Sequence, residues 1–142
     1  MTLFRYLDLL IFGSFIALSD IRSSRIPNRM LASFALITVI GYSLAPKELM
    51  IACASALVFA LILLPLYLLS VRKKGLGMGG GDVKLIVVLA FVLGRGDRAL
   101  GALLLASLIG LVQIIALSIK NRHFLTQIPF GPALIVGSLL AL

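Results

Sequence analysis

Acidic side chains are scarce in this chain. Asp8, Asp20, Glu48, Asp82 and Asp97 are the only five in 142 residues, against thirteen lysines and arginines. Charged residues of both signs reach 13%, where a soluble domain carries about 25%. With 61% hydrophobic residues, that shortage excludes one globular core in water and leaves an integral membrane protein. Cysteine is rarer still: Cys53, alone in an apolar stretch, excludes an internal disulfide or a thiolate zinc cluster and reads as a small packing residue. The single histidine, His123, lies in a basic loop without an acidic neighbour, so a Ser or Cys triad finds no support. Long hydrophilic stretches, repeats and low-complexity tracts are missing as well.

What is present is six apolar segments: about Leu3–Leu18, Met30–Leu44, Leu49–Val71, Val83–Leu93, Ala99–Ile119 and Gly131–Leu142. A helix crosses a hydrocarbon core of about 30 Å with about 20 residues. The third and fifth segments meet that length. The others must borrow flanking turns, thin the bilayer or enter partway. The runs are continuous and rich in Leu and Ala rather than alternating, which argues against strands. The expected fold is an all-α integral membrane protein, a polytopic bundle of about six transmembrane helices forming one domain over residues 1–142. The first segment carries Arg5 and an apolar stretch, as a secretory signal does, but Asp8 interrupts it and "IALSD" is a poor cleavage site; an uncleaved first span is expected.

Basic residues orient the spans. Odd-numbered connections hold Arg22, Arg25, Arg29, Arg72, Lys73, Lys74, Lys120 and Arg122, whereas the N-terminus and the even connections hold Arg5, Lys47, Arg95 and Arg98. The bias places the N-terminus outside and the odd loops in the cytoplasm. Asp20 and Asp82 then fall on one membrane face, the cytoplasmic one. Glu48 and Asp97 belong to short outer loops beside basic residues and read as solvated charges, while Asp8 is either a polar spot facing the bundle or a snorkelling end residue. The net charge of +8 flanks the spans instead of clustering on a soluble face, so the expected partner is anionic lipid and not nucleic acid.

The stretch "KKGLGMGGGDVKL" invites a dinucleotide fingerprint, but no strand precedes it, and Walker A fails because Lys84 follows Val83. Gly79, Gly80 and Gly81 instead allow a sharp turn and close backbone approach before a helix that begins near Asp82. Two readings of Asp82 stand at this point: a helix N-cap, or a functional carboxylate. With Asp20 on the same face, a specific chemistry becomes available. Two close carboxylates share one proton; the ionised one takes a proton from water, and the protonated one hydrogen-bonds the developing oxyanion. No covalent nucleophile, cofactor or metal is required, and two carboxylates without clustered His or Cys lend a metal site thin support. Helix ends alone make Asp82, at a helix start, the more readily ionised partner, leaving the shared proton on Asp20.

Three stretches carry a resemblance. "GMGGGDVKL" (Gly77–Leu85) is similar to the Gly-x-Gly-Asp signature of the type IV prepilin peptidases (peptidase family A24), "DIRSSRIPN" (Asp20–Asn28) resembles that family's first aspartate segment, and "IPFGPAL" (Ile128–Leu134) a third stretch near the C-terminus. The resemblance implies catalytic Asp20 and Asp82, cleavage of prepilin or pseudopilin leader peptides after a glycine at the cytoplasmic face of the bacterial inner membrane, a multi-pass location, and pilus or secretion machinery as partners. Larger members carry an N-terminal segment with paired Cys-x-x-Cys motifs and N-methylate the new terminus. This sequence shows neither that segment nor those cysteines, which argues against methylation, and it is similar to the compact, peptidase-only type of tight-adherence (Flp) pilus systems.

Neighbouring residues receive provisional roles. Pro27 ends regular helix and starts the second span near Asn28. Pro129 and Pro132, flanking Phe130 and Gly131, either bend the chain into a cleft lining or simply punctuate a helix. Lys84 tunes the carboxylates, meets a substrate acid or snorkels to lipid. The competing function is a small non-enzymatic transporter, or a pilus or secretion assembly subunit, that uses the same acids to move protons or cations. Such acids belong at differing depths; here both fall at one face.

Overall fold

A computed structural model describes residues 2–23, 26–43, 45–72, 79–121 and 130–142. Every regular element among them is helical: α1 (Thr2–Ser23), α2 (Asn28–Tyr42), α3 (Pro46–Arg72), α4 (Gly80–Leu93), α5 (Gly96–Asn121) and α6 (Gly131–Ala141). Each of the six apolar segments became one helix. Within α3 and α5, Pro46–Pro65 and Gly96–Ala116 are long and apolar enough to cross a bilayer. α1 outruns its apolar segment by five residues, so Asp20 lies inside its final turns instead of in a loop.

Apolar surface points both ways. α4 is the axis of the bundle, with Leu85, Ile86, Leu89, Ala90, Val92 and Leu93 buried, and it touches all five other helices. Outward, Leu61 of α3, Leu104 and Val112 of α5 and Leu140 of α6 are each more than half exposed. An apolar exterior over an apolar core suits a lipid solvent and is costly in water. In lipid, helix association relies on close packing more than on the hydrophobic effect. The α5–α6 contact illustrates this: a Cβ on Gly137 would stand 2.5 Å from the Ala102 carbonyl oxygen and 2.8 Å from the Ala106 nitrogen, so only glycine lets the two backbones meet.

Helix ends follow local chemistry. Pro27 holds the extended conformation (φ −66°, ψ 127°) that precedes α2, and its carbonyl accepts from the N–H groups of Met30 and Leu31. Pro132 occupies the first turn of α6, where a missing N–H costs nothing. α1, α3 and α5 carry the chain toward the end where α2, α4 and α6 begin, which brings Asp20, Asn28, Asp82 and Gly131 to one end of the bundle.

Candidate active site

Asp82 is the third residue of α4. Gly79 precedes the helix with φ −59° and ψ 141°, and its N–H hydrogen-bonds back to the Asp82 carboxyl, the returning half of a capping box. The glycine run is thus a helix start with ordinary negative φ, not a left-handed turn; the one positive-φ glycine among the described residues is Gly94. Close approach is where glycine matters here. A Cβ at Gly80 would lie 3.1 Å from the Tyr67 ring, and one at Gly81 3.4 Å from Ile26, so α3 and the segment before α2 press against the turn that carries Asp82.

Asp20 is buried, 5% exposed. Its Oδ2 accepts the N–H of Gly131 at 2.9 Å, across 111 positions of sequence. Phe130, the residue before α6, makes no side-chain cap, so Asp20 of α1 supplies the acceptor that the start of α6 lacks. Gly131 is indispensable to this contact: a Cβ there would stand 2.6 Å from Asp20 Oδ2 and 3.1 Å from Cγ. The Phe130 ring packs over Gly110 of α5, fixing where α6 starts.

The two carboxyls sense each other. Asp82 precedes the apolar part of its helix, and its carboxyl is pushed up to about 6, first by burial and then by the nearby Asp20 charge, with the Gly79 N–H opposing. Its helix start alone makes Asp82 readily ionised, but burial and the Asp20 charge outweigh that effect. The sequence shows the helix start at Asp82 but not the second helix start, that of α6, facing Asp20.

Of the other expected site residues, Asn28 and Lys84 meet: Lys84 Nζ donates to Asn28 Oδ1 at 3.1 Å, tying α4 to the start of α2. Pro27 shapes that start from outside the helix. Pro129 lies outside the described residues, as do Gly77 and Ile128 of the quoted motifs and His123. Tyr67, which braces the Asp82 turn, escaped the sequence reading because it lies in a plain apolar run; Ile26 lies within the quoted DIRSSRIPN stretch, but its contact with Gly81 follows from packing that the motif does not report.

A second polar cluster occupies the opposite end. Buried Arg5 pairs with Glu48, lies 4.8 Å over the Tyr42 ring and donates to the Leu93 carbonyl at 3.4 Å. Glu48 is therefore an ion-pair partner and not only a solvated charge. Asp8 faces the bundle, where Thr38 donates to it at 2.6 Å. Both roles depend on which helices are neighbours, which hydropathy does not report.

Comparison with known proteins agrees with this geometry. A family model described as "Type IV leader peptidase family" matches residues 7–115, a stretch that contains both aspartates. The chain is 32% identical over 134 residues to the prepilin leader peptidase/N-methyltransferase of Bacillus subtilis (strain 168), covering 89% of this chain and 50% of that protein. The chain thus spans about half the length of that curated relative. No solved structure matches it. A family match over most of the chain, with the two acids of separate helices at one end of the bundle, establishes that this protein belongs to the type IV leader peptidase family.

Proposed function

We propose that this protein is a membrane-embedded aspartic endopeptidase that removes the leader peptide of type IV prepilins or pseudopilins. Support comes from one observation above the others: Asp20 and Asp82, 62 positions apart, stand at the same end of the bundle, close enough for one charge to act on the other. Asp20, steadied by the Gly131 N–H, is the base; Asp82 holds the proton. Asp20 takes a proton from water as the water oxygen attacks the scissile carbonyl carbon. The carbonyl π electrons move to oxygen, and the Asp82 O–H donates to that developing oxyanion. The proton gained by Asp20 then passes to the amide nitrogen as the C–N bond breaks.

The finer assignments belong to the same proposal: a multi-pass protein of the bacterial cytoplasmic membrane, with the aspartates on the cytoplasmic side, cutting after a glycine. Service to tight-adherence (Flp) pili rests on the motif resemblance, and working beside pilus or secretion machinery rests on the substrate class. Co-expression with an Flp-type prepilin tests the core of it. A mobility shift on a gel, with the new terminus read by mass spectrometry, is expected for the wild type and lost in Asp20→Asn and Asp82→Asn. No cleavage of any prepilin by the wild type returns the acids to the transporter or assembly-subunit reading.

A further inference from the structure

The turn that carries Asp82 has no side chains of its own to hold it. Gly79, Gly80 and Gly81 run straight into the aspartate, and a run of glycines is the least restrained backbone a chain can offer. Within the turn, the Gly79 N–H bonds the Asp82 carboxyl, and the Gly79 carbonyl accepts the Val83 N–H at 3.2 Å. Further restraint comes from neighbouring elements. The Tyr67 ring of α3 lies where a Gly80 side chain would be: a Cβ there would stand 3.1 Å from both the Cε2 and the hydroxyl oxygen of the ring. Ile26, which is buried, lies 3.4 Å from the place of a Gly81 Cβ. With about 3.6 residues to a helical turn, Gly80 points about 160° away from Asp82 around the α4 axis, and Gly81 about 100° away in the other sense. Tyr67 therefore stands behind the turn and Ile26 beside it. Neither covers the direction of Asp82 itself.

We propose that Tyr67 is a positioning residue for the cleavage: its ring backs the glycine turn and so fixes where Asp82 presents its carboxyl to Asp20. The inference rests on the peptidase reading and adds to the site a residue outside the quoted motifs. Tyr67 and Gly80 form a matched pair. A methyl at position 80 and the tyrosine ring compete for one space, so the missing side chain at Gly80 is what admits the ring. The ring, not the hydroxyl, carries this role, because the Tyr67 O–H forms no hydrogen bond with the described residues. Half-buried, the side chain packs its apolar body on α4 and leaves its polar tip free for water or headgroups. From behind the turn Tyr67 reaches neither the attacking water nor the scissile bond, and acts through Asp82 alone. The spacing it protects is a sensitive one, since misplacing a reacting group by about 1 Å costs on the order of 100-fold in rate.

The test uses the purified full chain in lipid nanodiscs and an Flp-type prepilin. Tyr67→Ala is expected to lower kcat roughly 10- to 100-fold, with KM changed by no more than about twofold. Tyr67→Phe keeps the ring and the wild-type kcat. Gly80→Ala lowers kcat in the wild-type background but recovers part of the loss in Tyr67→Ala, where the methyl fills space the ring has left; that reversal of sign is the signature of a coupled pair. The pH profile of kcat/KM supplies a reading that a loss of stability alone does not move. Its alkaline limb reports Asp82 losing a proton that burial and the Asp20 charge hold up to about 6. A slackened turn leaves Asp82 wetter and farther from Asp20, so the limb moves to lower pH in Tyr67→Ala and stays in place in Tyr67→Phe. Should the alanine variant fail to fold, Tyr67→Leu carries the same expectations. A folded Tyr67→Ala or Tyr67→Leu with wild-type kcat and an unmoved limb overturns the proposal, as does a Tyr67→Phe as slow as Tyr67→Ala; cleavage by the wild type then leaves the peptidase reading intact. A wild type that cuts no prepilin defeats that reading instead, and the role of Tyr67 with it.

Discussion

In the proposed mechanism two side chains, Asp20 and Asp82, and one backbone N–H, that of Gly131, carry the chemistry at one end of the bundle. Asp20→Asn and Asp82→Asn each remove one half of an acid–base pair, and each is expected to lower kcat by roughly 10²–10⁴-fold or more, read by prepilin cleavage in nanodiscs. Gly131→Ala is the subtler test. The added methyl would stand 2.6 Å from Asp20 Oδ2, so the carboxyl must shift or α6 must retreat. Displacing a base by a fraction of an ångström to one ångström costs on the order of 100-fold in kcat, with KM less affected. A Gly131→Ala enzyme with normal kcat removes Asp20 from the role of base. The elevated Asp82 carboxyl also makes stability depend on pH. In the unfolded chain it titrates near 3.8, in the folded protein near 6. Between those values the folded state binds more protons, so stability declines as pH rises through that window and levels off above it. Thermal unfolding in nanodiscs from pH 4 to 7 is expected to show that decline in the wild type and a weaker one in Asp82→Asn. Equal slopes count against the raised carboxyl.

Among the helices, α6 is the shortest and the one on which the site most depends, since its first N–H holds Asp20. Its place is fixed by backbone contact with α5 at Gly137, where a larger side chain meets main-chain atoms that cannot give. Gly137→Val is expected to destabilise the fold by roughly 1–3 kcal/mol and to lower activity beyond the loss of folded protein, as α6 carries Gly131 away from Asp20. Gly101→Ala on the facing helix is the contrast: its nearest neighbour would be the Ala141 Cβ at 4.0 Å, so the change is tolerated or mildly stabilising. Melting temperature and activity measured together separate the two cases. At this scale the sequence was informative about identity and poor about neighbours. Apolar run lengths located six helices, because a lipid-exposed backbone must satisfy its own hydrogen bonds. The glycines before Asp82 and the Phe130–Gly131–Pro132 stretch announced helix starts through local chemistry that any chain would obey. That the start of α6 faces Asp20, or that Glu48 reaches Arg5, follows from packing among helices far apart in sequence, and hydropathy is blind to it.

The whole bundle is polar at both ends, and the ends differ in kind. One holds two acids whose charges oppose each other; the other holds Arg5, ringed by Glu48, the Tyr42 face and the Leu93 carbonyl. Every group around Arg5 attracts a cation, and it joins the first, second, third and fourth helices, which suits a fixed structural end opposite a working one. The proposed proteolysis at the cytoplasmic face requires the carboxyl pair to lie inside and the Arg5 cluster outside, an orientation that the excess of lysine and arginine on the odd-numbered connections favours. The orientation is directly measurable, because Cys53 is the chain's one thiol and Cys53→Ser clears the background. Ser43, exposed just after α2 at the Arg5 end, and Ser23, exposed at the end of α1 beside the aspartates, are suitable cysteine positions. In intact cells whose outer membrane has been permeabilised, a membrane-impermeant maleimide is expected to label Ser43→Cys and not Ser23→Cys; disrupting the inner membrane then exposes Ser23→Cys as well. The opposite pattern would put the aspartates on the wrong side of the bilayer for a cytoplasmic leader peptide, and the proposed cleavage would lose its substrate even with the two carboxyls in place.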